Sequence, residues 1–134
     1  MIQGSIWPLV ASTIAATLIG YAWYHPRVFG AMWMRLNAVT PEQAERGASR
    51  RHVYTILGLV ANLVVATILR IFLVGLAISS VPGAARVGFM IWLGFVAPVL
   101  LGSVLWEHRP LSLYFIQAGY WLVALVAMAA ILVL

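Results

Sequence analysis

The sequence has no cysteine, no lysine and no aspartate. Without cysteine there is no disulfide framework, no thiolate metal centre and no cysteine nucleophile. Without lysine, all eight basic side chains are arginine, and the three acids are Glu42, Glu45 and Glu107. Charge of either sign is scarce, at 8% of the 134 residues, where a soluble domain carries roughly 25%. The period-two alternation of barrel strands is missing too, and four apolar stretches could not close a barrel.

What is abundant is apolar side chain, at 64%. A water-soluble globule of this length could not hide so much apolar surface, so the excess must face lipid. A spanning helix needs about 20 mainly apolar residues. Four stretches qualify, at about 6–24, 53–78, 87–106 and 111–134. Helices are the spanning solution left, because backbone polar groups in lipid must be satisfied within the segment. The chain is therefore expected to be all-α: a single-domain integral membrane four-helix bundle over residues 1–134. The first basic residue, Arg27, follows the first apolar run, whereas a secretory signal carries its basic residues ahead of that run. The first stretch is expected to be a retained span.

Net charge is +5. In a soluble protein this balance would suggest nucleic acid. Here the arginines gather beside spans, and nucleic acid is not expected as a partner. Arg27, Arg35, Arg46, Arg50 and Arg51 lie in the long connection from His25 to His52, and Arg109 lies in the hairpin Glu107-His108-Arg109-Pro110. The short second connection, marked by the turn signal Pro82-Gly83, has only Arg86 beside it. The positive-inside bias then predicts a multi-pass protein of the cell (inner) membrane, with the Arg-rich loop cytoplasmic and both termini outside.

That loop carries structure of its own. Phe29, Met32, Trp33 and Leu36 follow helical spacing with Arg35 off their face, which predicts a short amphipathic helix lying in the interface. Thr40-Pro41-Glu42-Gln43 is a helix start, with Thr40 as cap and Gln43 three residues on; Gly47 is expected to end that helix. Trp7, Tyr21, Trp23, Tyr24, Trp33, Tyr54, Trp106 and Tyr114 gather near span ends, which predicts an aromatic belt; an aromatic-lined binding site is the alternative. Ser12, Ala16 and Gly20, and again Gly94, Pro98 and Gly102, recur every fourth position. Such small-residue stripes predict close helix packing, within the bundle or between subunits.

Several short motifs resemble one family. Trp23-Tyr24-His25-Pro26, Phe29-Gly30 and Trp33-Met34 come first, then Trp106-Glu107-His108-Arg109-Pro110, then Ala118-Gly119-Tyr120-Trp121-Leu122. In order and spacing they resemble the small membrane family labelled domain of unknown function 1761. The resemblance covers nearly the whole chain. It implies four spans in a single domain and carries no assigned activity. The first and third span ends also echo each other, Trp23-Tyr24-His25-Pro26-Arg27 against Trp106-Glu107-His108-Arg109-Pro110. A two-helix unit repeated in parallel would produce such an echo.

No catalytic motif stands out, so function rests on a few polar residues. Arg70 falls within the second span, at a cost of roughly 2.5–3.5 kcal/mol if it reached mid-membrane. Counted from Tyr54 it lies about 24 Å along the helix, near the outer interface. It either snorkels to the outer headgroups or lines a polar cavity. Asn62 and Gln117 lie within spans, as interhelical hydrogen-bonding glue or as part of a ligand or pore surface. On the cytoplasmic face His25, Glu107, His108, Arg109 and Arg27 form a polar cluster. Two His and one carboxylate are a familiar metal set, so His25, Glu107 and His108 could hold a metal or relay protons, or Glu107 could pair with Arg27 or Arg109. No other cofactor is implied. The leading expectation is a homo-oligomeric transport or small-ligand/lipid-binding protein, with its cavity between subunits. The alternatives are a membrane-embedded enzyme using the His/Glu group, and a structural or accessory subunit.

Overall fold

The computed structural model describes residues 4–134. Among these the secondary structure is helical throughout. In chain order the helices are α1 (Trp7–Trp23), α2 (Ala31–Leu36), α3 (Pro41–Ser49), α4 (Arg51–Gly75), α5 (Val81–Ile91), α6 (Ala97–Leu105) and α7 (Leu111–Leu132), with π-helical segments at Pro26–Gly30 and Trp92–Val96. Helix α5, the second π segment and α6 continue as one rod, Val81–Leu105. That rod, α4 and α7 are each long and apolar enough to cross a membrane. Helix α1, apolar and 17 residues long, packs against α4 and α7. The chain is a helical membrane bundle.

The Pro98 in the third rod explains its irregularity. Proline cannot donate to the carbonyl four residues back, at Gly94, and its ring crowds that carbonyl. The wider π turn at Trp92–Val96, immediately upstream, accommodates the misfit.

Helix α7 is the centre of the bundle. It packs most extensively against α5 and α1, and its Ala124, Leu125, Met128, Ala129 and Leu132 are buried with Ala16, Ala66, Leu69, Leu73 and Ala84. Side-chain hydrogen bonds to backbone carbonyls tie neighbours to it. The Trp23 indole donates to the Ile116 carbonyl at 2.9 Å, Trp92 to Ala118 at 2.8 Å, and the Tyr120 hydroxyl to Ala16 at 3.0 Å. The stripe Ser12, Ala16, Gly20 behaves as expected: Ser12 and Ala16 are buried, and the Tyr120 ring covers Gly20. The stripe Gly94, Pro98, Gly102 does not enter the bundle, since Gly94 and Pro98 are exposed.

Two boundaries differ from expectation. Gly47 does not end α3, which runs on to Ser49 and passes through Arg50 into α4. Its start is as expected: Thr40 Oγ1 accepts from Gln43 N–H at 3.2 Å and Gln43 Oε1 from Thr40 N–H at 3.0 Å. Likewise Pro82-Gly83 is the first turn of α5, with Ser80 Oγ accepting from Gly83 N–H at 3.2 Å; proline suits a first turn because no N–H is needed there. The reversal happens upstream. Ala77 is left-handed (φ 54°) and Ile78 N–H reaches back to the Leu73 carbonyl at 2.9 Å, a helix stop that normally employs glycine. An L side chain there costs about 1–2 kcal/mol, partly offset by glycine's larger unfolded-state entropy. Ala77→Gly should therefore stabilise the protein by about 0.5–1 kcal/mol, measured by SDS-titrated unfolding in mixed micelles.

Candidate functional site

The bundle end that carries the long loop holds a cleft of about 650 Å³. It opens between the last turns of α1 and the first turns of α4, with α7 behind it and α3 beside it. Helical spacing explains the α4 wall. Arg51, Thr55, Gly58 and Asn62 are four, three and four residues apart, so they share one face, and all line the cleft. Helix α1 and its C-cap residue contribute Thr17, Gly20, Tyr21 and Tyr24, at i, i+3, i+4 and i+7 on one face. Arg51 is exposed at the mouth and Asn62 is 7% exposed at depth. They lie about 16 Å apart along α4 at 1.5 Å per residue.

The lining is polar for a membrane bundle. Asn62 Nδ2 donates to Thr17 Oγ1 at 3.1 Å, and Tyr21 and Thr55 hydroxyls are hydrogen-bonded to each other. Tyr24 and Tyr120 meet at a tilt of 58° with centroids 5.7 Å apart. Trp33 meets Tyr24 edge-on at 6.1 Å and Trp121 meets Tyr120 at 5.1 Å, so an aromatic ladder runs from the short helix α2 through the cleft wall to α7. Tyr54 adds a fourth phenol at the rim. His25 sits at the mouth, where its Nδ1 accepts from Arg27 N–H at 3.1 Å. An accepting Nδ1 leaves the neutral imidazole with its proton on Nε2, as a donor. No acid is among the lining residues.

Three glycines line the cleft, and two of them leave space open. A Cβ on Gly47 or Gly58 would meet nothing within 4 Å, so neither is required by packing. Glycine inside a helix is destabilising by roughly 0.5–1 kcal/mol relative to alanine. Gly20 differs, because its surface is taken by the Tyr120 ring at 3.4–3.6 Å.

A family model described as "Protein of unknown function (DUF1761)" matches residues 7–133. The chain belongs to this family. No curated protein and no solved structure matches it. The segment Trp23-Tyr24-His25-Pro26 falls on the cleft: Tyr24, His25 and Pro26 line it, and Trp23 anchors α1 to α7. Tyr120 closes it from behind.

The remaining sequence candidates in this DUF1761 chain disperse. Of Arg70, Asn62 and Gln117, Asn62 alone lies in the cleft. Arg70 borders a separate cavity at the opposite end of the bundle, between the start of α1 and the last turns of α4. Gln117 lies under the loop, in a pocket with Trp33 and Met34. Glu107 and His108 are exposed in the α6–α7 turn. Among the described residues no group of three or more His, Asp or Glu could hold a metal ion, so His25, Glu107 and His108 are not brought together as ligands. His25 instead caps the π segment, and Arg109 Nη1 donates to Asn37 Oδ1 at 3.4 Å, tying the hairpin to the long loop. The two echoing span ends differ in backbone conformation. His25 is extended (φ −63°, ψ 140°) whereas His108 is left-handed (φ 56°).

The cleft was present in the sequence as a pattern rather than as a motif. Arg51, Thr55, Gly58 and Asn62 form a polar and small-residue stripe on an otherwise apolar helix, and Thr17, Gly20, Tyr21 and Tyr24 form a second one. Reading Tyr21, Tyr24 and Tyr54 as a belt, and Arg51 as loop charge, hid their convergence.

Proposed function

We propose that this is a four-span membrane protein whose tyrosine-lined cleft binds a small molecule from the Arg-rich side of the bilayer. One observation carries the reading. A chain with this little polarity places four phenols, two threonines and Asn62 around one cleft of about 650 Å³, a volume within the usual range for small-molecule sites. Two helix-interior glycines that packing does not require add support, since they leave that volume empty. The cleft lies within one chain, so binding does not depend on a cavity between subunits. Self-association fits beside it, through the exposed Gly94 and Pro98 face. The arginines at the cleft end favour a cytoplasmic placement for that end, with both termini outside.

Gly58→Leu tests the reading. The new side chain has open space and gains helix propensity, so the bundle stays folded, while the cleft is filled. Species that co-purify with the wild-type protein, detected by native mass spectrometry, should fall at least tenfold in the variant, a loss worth about 1.4 kcal/mol. Undiminished co-purification would falsify the cleft as the binding site.

A further inference from the structure

We infer that the ligand of the cleft is an amphiphile with an anionic head group, held by Arg51 at the mouth, with its body lying along the tyrosine-lined wall toward Asn62. This rests on the cleft being the binding site and adds the chemistry of what it takes. The charge pattern carries the inference. Arg51 is the charged residue of the lining, and no acid lies among the lining residues to neutralise it. The first turn of α4, where Arg51 sits, also holds no acid. Beside it His25 keeps Nδ1 engaged with Arg27 N–H at 3.1 Å and offers Nε2–H outward as a donor. The mouth therefore presents donors and positive charge, and it calls for acceptors and negative charge. A guanidinium suits a carboxylate or phosphate, to which it donates in pairs.

The interior asks for something else. Below the mouth one wall is the contacting pair Tyr24 and Tyr120, tilted against each other with centroids 5.7 Å apart, with Tyr21 and Tyr54 at the rim. Asn62, at the far end, already spends one amide hydrogen on Thr17. A small inorganic anion would occupy the mouth and leave these walls unused. A molecule about 16 Å long, charged at one end, meets both parts. A cationic amphiphile is disfavoured, because its charge would have to sit beside Arg51 without a counter-ion.

The test uses the full chain in phosphatidylcholine nanodiscs, with tryptophan emission as readout, since Trp33 and Trp121 lie against Tyr24 and Tyr120. Four probes are titrated: oleate, oleyl alcohol, phosphatidylglycerol doped into the disc, and inorganic phosphate. Oleate or phosphatidylglycerol should bind at least tenfold tighter than oleyl alcohol, and whichever is tighter tells a free carboxylate from a lipid headgroup. Arg51→Gln should remove that preference and leave oleyl alcohol unchanged. Arg46→Gln, outside the cleft, should leave the preference intact. Equal losses in the Arg51 and Arg46 variants would mean diffuse attraction to a basic loop and would overturn the inference. So would inorganic phosphate binding as tightly as the amphiphiles. Gly58→Leu separates the two levels of the argument. If it abolishes binding of every amphiphile while Arg51→Gln changes nothing, the cleft stands and the anionic head group is wrong. If it changes nothing either, both readings fail.

Discussion

Gly88→Val should destabilise the bundle by about 3 kcal/mol, the upper end of overpacking penalties. Gly88 is buried on α5 where it faces α7, and those two helices form the most extensive contact in the fold. A Cβ at this position would lie 2.8 Å from the Leu125 carbonyl oxygen and 3.2 Å from the Val126 Cα. Both are backbone atoms, so no side-chain rotation relieves the overlap. The helices must separate. Separation would loosen the packing of Ala84, Leu125 and Ala129, which are buried in the same core, and the hydrogen bond from Trp92 to the Ala118 carbonyl next to it. In lipid, close van der Waals packing drives helix association, so loss of approach is not offset by a hydrophobic term. The control is Gly58→Ala. Its Cβ meets nothing within 4 Å, and it should stabilise α4 by roughly 0.5–1 kcal/mol. SDS-titrated unfolding should move in opposite directions for the two variants. Equal and small effects would show that the α5–α7 approach is not limiting.

The contrast between those glycines marks what could be read from sequence. The apolar runs were legible because bilayer thickness sets their length, and the α3 capping box because it is a local hydrogen-bond pattern. The stripe Ser12, Ala16, Gly20 pointed correctly at a tight contact. Its counterpart Gly94, Pro98, Gly102 makes no such contact within the bundle, where Gly94 and Pro98 are exposed, which leaves the packing between subunits that the spacing equally allows; the reason is local. The π turn at Trp92–Val96 widens the helix just before Pro98, so a spacing of four no longer keeps these residues on one buried face. The aromatic residues divide in a way composition does not show. Trp7 and Trp106 are exposed as a belt would be, Tyr21 and Tyr54 are exposed at the rim of the cleft, and Trp23 and Tyr24 turn inward. The candidate site was hidden for a related reason. Each lining residue has an ordinary explanation taken singly, and only the crossing of α1 with α4 assembles them. Asn62 was picked out because an amide in a span is conspicuous. Arg51 was not, because four other arginines share its loop.

Gly30→Ala should disorganise the mouth of the cleft while leaving the four rods in place. Gly30 is buried at the end of the first π segment, and its N–H donates to the His25 carbonyl at 3.0 Å. A Cβ there would overlap the Tyr24 carbonyl oxygen and lie within 2.8 Å of the Tyr24 carbonyl carbon and 2.9 Å of the His25 carbonyl carbon. The overlap is again with backbone, and it falls on the two residues that form the cleft's inner wall and its mouth. The chain can relieve it only by unwinding the π turn, which moves His25 away from Arg27 N–H and pulls Trp33 off the Tyr24 ring. The expected signature is therefore a split one. Global unfolding of the rods should change by less than the roughly 3 kcal/mol expected for Gly88→Val, because α7 and its contacts with α1, α4 and α5 lie elsewhere. Amide exchange over residues 24–36, in contrast, should lose most of its protection, and amphiphile affinity should fall at least tenfold. Arg27→Ala serves as the comparison, because it keeps the backbone N–H that His25 accepts from and should leave exchange unchanged. Intact protection over 24–36 in Gly30→Ala would mean that the turn is not the element that fixes the mouth. A loss of protection without a loss of affinity would separate the loop from the site, and would place ligand recognition on Arg51 and the α4 face alone.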